Sequence, residues 1–265
     1  MNKGFALITG ASTGIGAVYA QRLAARGYDL VLVARNAAKL DELAVRIREE
    51  HRRTVEVVVA DLTAQSHLAR VEEILRHDSR VTMLVNNAGI GGVSSTLEAD
   101  PVKMSEMIAL NVDALMRLTL AAAPGFVARG QGTIINVASI VAIAPEILNG
   151  VYGGTKAFVL AFSQNLSSQL AGKGVRVQVV MPGATATDFW DLAGTPLANV
   201  PKQILMSTSD MVDAALTGLD MGEFATIPAL PNAADWDAFE KARQALMPNL
   251  SRQAPADRYH RKPAA

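Results

Sequence analysis

The sequence has no cysteine. Disulfides, thiolate catalysis and cysteine-ligated zinc are therefore excluded, and the composition fits the cytoplasm. Histidine is scarce: His51, His67, His77 and His260 are the only four. No H-E-x-x-H or comparable spacing joins them, so no metal site is expected. Neither sign of charge is in excess, with 25 basic and 25 acidic residues. A neutral chain has no overall attraction for nucleic acid or an anionic membrane, and neither is an expected partner. No apolar run approaches the roughly 20 residues that a spanning helix needs. The first one, Phe5-Ala6-Leu7-Ile8, runs straight into Thr9-Gly10 and is too short for a signal-peptide core. Repeats and low-complexity linkers are absent, as is the G-x-S-x-G of α/β-hydrolases.

What is present is 265 residues, half of them hydrophobic, enough for one large core. Short β-like runs alternate with helical ones. Strands are expected over Phe5–Thr9, Leu30–Ala34, Val55–Val59, Met83–Val85, Thr133–Val137, Val175–Val180 and Phe224–Ile227. Helices are expected over Ile15–Arg26, Ala37–Glu50, Ala64–Arg76, Pro101 to about Val127, Val151–Ala171, Asp210–Gly218 and Ala234–Ala245. The second of these mixes charges of both signs, as a solvated face does. This alternation predicts an α/β fold, a single doubly wound parallel-sheet Rossmann domain with helices on both faces. The expected domain covers 1–247; residues 248–265, proline-containing and basic, form a tail.

Ligands of such sheets sit at the carboxyl ends of strands. Gly10–Gly16, Arg35, Asp61, Asn86–Gly89, Ser139 and Pro182–Thr187 all follow predicted strands. The run Thr9-Gly10-Ala11-Ser12-Thr13-Gly14-Ile15-Gly16 joins the first strand to the first helix. Its glycines permit a tight turn and close approach of backbone to a diphosphate, and the helix start offers free N–H groups. After the second strand comes Arg35 and no acid. A carboxylate there would bond the ribose 2′-hydroxyl of NAD and repel a 2′-phosphate, whereas a guanidinium can bind that phosphate. NADP(H) is the expected cofactor, ahead of NAD(H).

The T-G-x-x-x-G-I-G spacing resembles that of the short-chain dehydrogenase/reductase family, and further motifs follow in family order over residues 4 to 190. The resemblance implies that Asp61-Leu62 contacts adenine and that Asn86-Asn87-Ala88-Gly89 supports the sheet and the cofactor site. It also places Pro182-Gly183 with Thr185 and Thr187 beside the nicotinamide. Asn111, Ser139 and the Y-x-x-x-K of Tyr152 and Lys156 match the family's catalytic residues. Reducing a carbonyl needs a proton donor, and oxidising an alcohol needs the same group as base. A phenol is poor at this unaided, and a nearby cation lowers its pKa. Tyr152 and Lys156, four apart, share a helix face. Lys156 is expected to hold that pKa down and bond the nicotinamide ribose, Ser139 to bond the substrate oxygen, and Asn111 to hold a water that relays protons. Gly153 and Gly154 between the pair are a local departure, since helix-interior glycine is unfavourable.

These readings imply an NADP(H)-dependent oxidoreductase acting on a carbonyl or secondary alcohol. The alternative is a catalytically idle NADP-sensing protein on the same fold; a narrower one is epimerisation or dehydration. Residues 188–208 resemble the family's variable substrate lid. Ile140, Ile143, Ile147, Leu148, Phe189, Trp190 and Leu192 should flank an apolar pocket for an apolar or aromatic ketone. The resemblance further implies a homodimer or homotetramer built on the long helices.

Overall fold

The structure, a computed structural model, describes residues 3–95 and 97–259; His260 and the end of the expected tail lie outside them. The β-branched and aliphatic runs become strands β1 (Phe5–Thr9), β2 (Asp29–Ala34), β3 (Val55–Val59), β4 (Val81–Asn86), β5 (Gly132–Val137), β6 (Val175–Val180) and β7 (Ala225–Thr226). They pair in parallel in the order β3-β2-β1-β4-β5-β6-β7. The helices are α1 (Gly14–Ala25), α2 (Ala37–His51), α3 (Gln65–His77), α4 (Pro101–Ile108), α5 (Leu115–Ala128), α6 (Gly150–Leu170), α7 (Phe189–Ala193), α8 (Thr208–Met221) and α9 (Ala233–Ala245).

Strand alternation sorts the core into two layers. Ala6, Ile8, Leu30 and Leu32 point to one face and pack with Tyr19 and Leu23 of α1, Leu40 and Ile47 of α2, and Met211 and Leu216 of α8. Phe5, Leu7, Val31 and Val33 point to the other and meet Leu68 and Val71 of α3, Leu118 and Phe126 of α5, and Leu166 of α6. Both faces of the sheet are thus covered, as a parallel sheet requires. The strand order reverses between β1 and β4, which opens a crevice at the carboxyl ends.

The helix expected over 101–127 is present as one helical stretch, Pro101–Ala128; within it a wide π-turn, Ala109–Ala114, lies between α4 and α5 and carries Asn111. Such bulges often mark functional positions. Residues 101–128 also form a stretch long and apolar enough, by length and composition, to cross a membrane. Half of its most apolar window is buried inside the protein, as in a core helix. The chain divides into two compact units, Met1–Pro228 and Ala229–Ala265. The first holds the whole sheet; the second begins before α9, so the expected boundary at 248 lies inside it.

Candidate active site

The link from β1 to α1 is nearly bare backbone. Gly10 and Gly14 have φ of 66° and 55°, a region that strains residues with a side chain. A Cβ on Gly16 would lie 2.3 Å from the Gly10 carbonyl oxygen, and one on Gly10 2.9 Å from Asn87 Nδ2. Thr13 precedes α1 without capping it through its side chain, and Ser12, Thr13 and Ile15 are half-buried along the same turn. A side-chain-free turn running into uncapped helix N–H groups fits the diphosphate of a dinucleotide. Neighbouring loops are tied to it. Thr9 Oγ1 donates to Val85 O (3.3 Å) and accepts from the Asn87 and Ala88 amides at 3.0 Å. Asn87 Nδ2 donates to Thr9 O at 2.9 Å. A Cβ on Gly14 would lie 3.2 Å from Thr187 Cγ2, which brings the loop after β6 to the same place.

Arg35 is exposed immediately after β2. Asp61, after β3, has its carboxyl held below the usual range, first by hydrogen bonds from the Thr63 amide and hydroxyl and further by the Arg35 charge. Its partner in the expected adenine contact, Leu62, is buried in the core layer beneath the sheet.

The catalytic candidates gather around the start of α6. Asn149 caps that helix: its Oδ1 accepts from the Val151 amide at 2.9 Å and the Tyr152 amide at 3.3 Å, while its Nδ2 donates to Ser94 O at 2.7 Å. A cap of this kind is worth about 1 kcal/mol. One turn on, Lys156 is buried, with its ammonium donating to Val137 O at 2.9 Å and lying 5.7 Å from the centre of the Tyr152 ring. Gly89 lies beside it: a Cβ there would press on Asn111 Oδ1 at 3.1 Å and make ordinary contact with Lys156 Nζ at 3.6 Å. Ser139, at the end of β5, places its Oγ 3.4 Å from Pro182 O and hydrogen-bonds the Tyr152 side chain.

Burial pushes the Tyr152 phenol up to about 12, with the Ser139 hydrogen bond pulling the other way. The Lys156 ammonium, below the ring, donates to Val137 O, and burial draws Lys156 itself down to about 8. Asn111 does not offer a free side chain. Its Oδ1 accepts from the Ile90 amide (2.9 Å), and its Nδ2 donates to Ile90 O (2.8 Å) and Thr155 Oγ1 (3.2 Å). It clamps the loop after β4 to the helix of Tyr152.

Around Tyr152 lies a separate apolar cluster of Met107 and Val141, with Ile90, Met104, Leu148, Val151 and Phe189 packed against it. Phe189, first residue of α7, stands 5.6 Å from Tyr152 and meets Trp190 edge-on. Trp190 Nε1 donates to Thr185 O at 3.0 Å. Leu148 and Phe189 thus pack beside Tyr152, and Trp190 packs on Phe189. Leu192 and Ile147, 80% and 56% exposed, are on the surface instead.

With this geometry in place, the decisive comparison is that residues 4–195 match the family model described as short chain dehydrogenase. The chain belongs to the short-chain dehydrogenase family. A short-chain dehydrogenase from Sphingobium yanoikuyae, solved with NADPH, is 47% identical, superposes with a TM-score of 0.94, and covers 97% of this chain and 100% of its own. The bulky-bulky ketone specific alcohol dehydrogenase of Comamonas testosteroni is 43% identical, with a TM-score of 0.90 over 98% of this chain and 99% of its own. An uncharacterised oxidoreductase of Staphylococcus epidermidis is 32% identical over 213 residues, 80% of this chain and 90% of that one.

In this short-chain dehydrogenase several site-building residues carry no motif of their own. Asn149 and Thr155 act through backbone hydrogen bonds, and Ile90, Met104, Met107, Val141 and Val151 read in sequence as ordinary core. Asn149 before a helix start is the one that capping preference alone could have found.

Proposed function

We propose that the protein is an NADP(H)-dependent ketone reductase and alcohol dehydrogenase, with Tyr152 as the general acid and base and an apolar, two-sided ketone as substrate. The observation that carries this reading is the Tyr152 phenol placed beside Ser139 and Lys156, inside a wall of aliphatic, methionine and aromatic side chains. The relatives solved with NADPH and described as specific for bulky-bulky ketones support the cofactor and the substrate class. The nicotinamide, when bound, supplies or accepts the hydride.

The chain's own residues do the rest. The Gly10–Gly16 turn and the start of α1 hold the diphosphate, Arg35 holds the 2′-phosphate, and Asp61 lines the adenosine end. The loops of Asn87–Gly89 and of Pro182, Gly183, Thr185 and Thr187 flank the nicotinamide end. Ser139 Oγ donates a hydrogen bond to the carbonyl oxygen and steadies its developing charge. Tyr152 Oη gives its proton to that oxygen in reduction and takes it back in oxidation. Lys156 sets a positive charge below the ring, and Asn111 fixes the loop of Ile90 against α6. The apolar cluster excludes water and grips both substituents of the ketone. The proposed assembly is a homodimer or homotetramer, and the proposed compartment the cytoplasm.

The test is a panel of ketones and alcohols, followed by the absorbance of reduced cofactor with NADPH and NADH. Tyr152→Phe should nearly abolish turnover while nucleotide binding, read by calorimetry, persists. A variant that keeps more than about a tenth of wild-type kcat would remove Tyr152 from its role, since acid–base assistance is worth roughly a hundredfold or more.

A further inference from the structure

Gly91 has no backbone reason to be glycine. Its φ is not among the positive values, so any residue could adopt its conformation. Space is the reason: a Cβ at Gly91 would lie 2.1 Å from Phe189 Cζ and 2.3 Å from Phe189 Cε2. The ring of Phe189 therefore sits directly on the Gly91 backbone. From there it contacts Tyr152 at 5.6 Å between centroids. Three further contacts fix this arrangement. The indole of Trp190, bonded to Thr185 O, stands edge-on to the ring. The Val93 amide donates to Ala193 O at 3.3 Å. Ser94 O is held by the cap residue of the Tyr152 helix. Next to it, Gly92 packs beside Met107 and Met104, whose Cε atoms would be in ordinary contact with a Cβ there, at 3.4 and 3.9 Å.

Phe189 from α7 and Met107 with Met104 from α4 thus meet at this loop and converge on the Tyr152 cluster. We propose that Gly91 and Phe189 form a specificity-determining latch: the ring docks on Gly91 to close α7 over Tyr152, and this docked ring sets the size of one of the two substituents a ketone can present. The methionine pair, unbranched and adaptable, forms the wall for the other substituent. The size-setting part rests on the proposed ketone chemistry; the docking does not.

A mutant cycle tests it. Phe189→Ala should raise kcat/KM for ketones with the larger second substituent relative to the smaller by about tenfold, the scale on which an apolar pocket discriminates. Gly91→Ala should evict the ring and raise KM by about tenfold, with kcat less affected because Tyr152, Ser139 and Lys156 keep their places. In the Phe189→Ala background the same Gly91→Ala change should have no further effect, since the atoms it collides with are gone. Additive losses in the double variant would show that Gly91 serves the backbone of its own loop and would overturn the latch.

The docking is also read without catalysis. Trp190 and Trp236 are the two tryptophans, so in a Trp236→Phe protein the emission comes from Trp190 alone. Gly91→Ala should shift that emission when Phe189 is present and leave it unmoved when Phe189 is Ala. An unmoved emission in both backgrounds overturns the docking. If the wild type reduces no ketone, the ketone reading and the size selection fall together, and Trp190 emission still decides the docking.

Discussion

At Arg35 a single side chain is proposed to select the cofactor. It stands exposed after β2, close enough for its charge to act on Asp61, whose carboxyl is engaged by Thr63. A charge-assisted bond to a phosphate is worth about 1.5–3 kcal/mol, so Arg35→Ala should lower kcat/KM with NADPH roughly ten- to a hundredfold and leave NADH nearly unchanged. The effect should shrink as salt rises, because the site is open to screening. Equal losses with both cofactors would return Arg35 to the role of a solvated surface residue. Lys156 gives a second test at the same scale. Burial draws its ammonium from 10.5 to about 8. Between those values the unfolded chain binds a proton that the folded chain has released. Stability therefore rises with pH across that window, and below it the buried charge weighs fully against folding. Lys156→Met should abolish turnover yet raise the Tm of the nucleotide-free protein near neutral pH, with the gain fading as the pH climbs toward 10.5. Calorimetry at three pH values reads this; a lower Tm near neutrality would mean that the bond to Val137 O outweighs desolvation. Residues like these were legible in sequence because their chemistry demands a side-chain type at a fixed place after a strand or on a helix turn. Phe189 and Gly91 were not legible as a pair: they lie far apart along the chain, and only the fold brings them together.

At the scale of elements, periodicity and glycine stops found the strands and all the helices but α7 to within a few residues, because parallel strands buried on both faces must be continuous apolar runs. The π-turn of Ala109–Ala114 escaped, since its cause is tertiary: Asn111 reaches across to clamp Ile90 and Thr155, and no local propensity encodes that. The fold also resolves the two glycines at the start of α6. A Cβ on Gly153 would press on Pro145 Cβ at 3.2 Å, whereas Gly154 faces open space. Gly154 is thus spent on neither turn nor packing, and Gly154→Ala should stabilise by about 1 kcal/mol, a rise in Tm of roughly 2–4 °C. Gly153→Ala should gain less or lose. Equal gains from the two would mean that the loop of Pro145 yields freely and does not pack on α6.

At the scale of the whole molecule, the unanswered apolar surface points to self-association. Val102 and Ile108 of α4 are 66% and 47% exposed, and Leu120 of α5 is 56% exposed. On α6, Phe158 and Phe162 stack while half-buried. The stretch 101–128 buries only half of its most apolar window within the chain. An outward apolar stripe on a long helix suits a two-fold contact, because the same stripe on a second copy complements it. A stable interface of this kind covers roughly 1,200–2,000 Å², an area that needs helices as long as these. The protein should therefore sediment as a dimer or a tetramer at micromolar concentration. Leu120→Lys should weaken that assembly, since it sets a solvated cation against apolar neighbours and, across a two-fold axis, brings like charges into the contact. Added salt should not dissociate the wild type, because apolar contact is unscreened. A wild type that sediments as a monomer would leave the stripe without a second copy. A Leu120→Lys protein that assembles as the wild type does would move the interface away from α5.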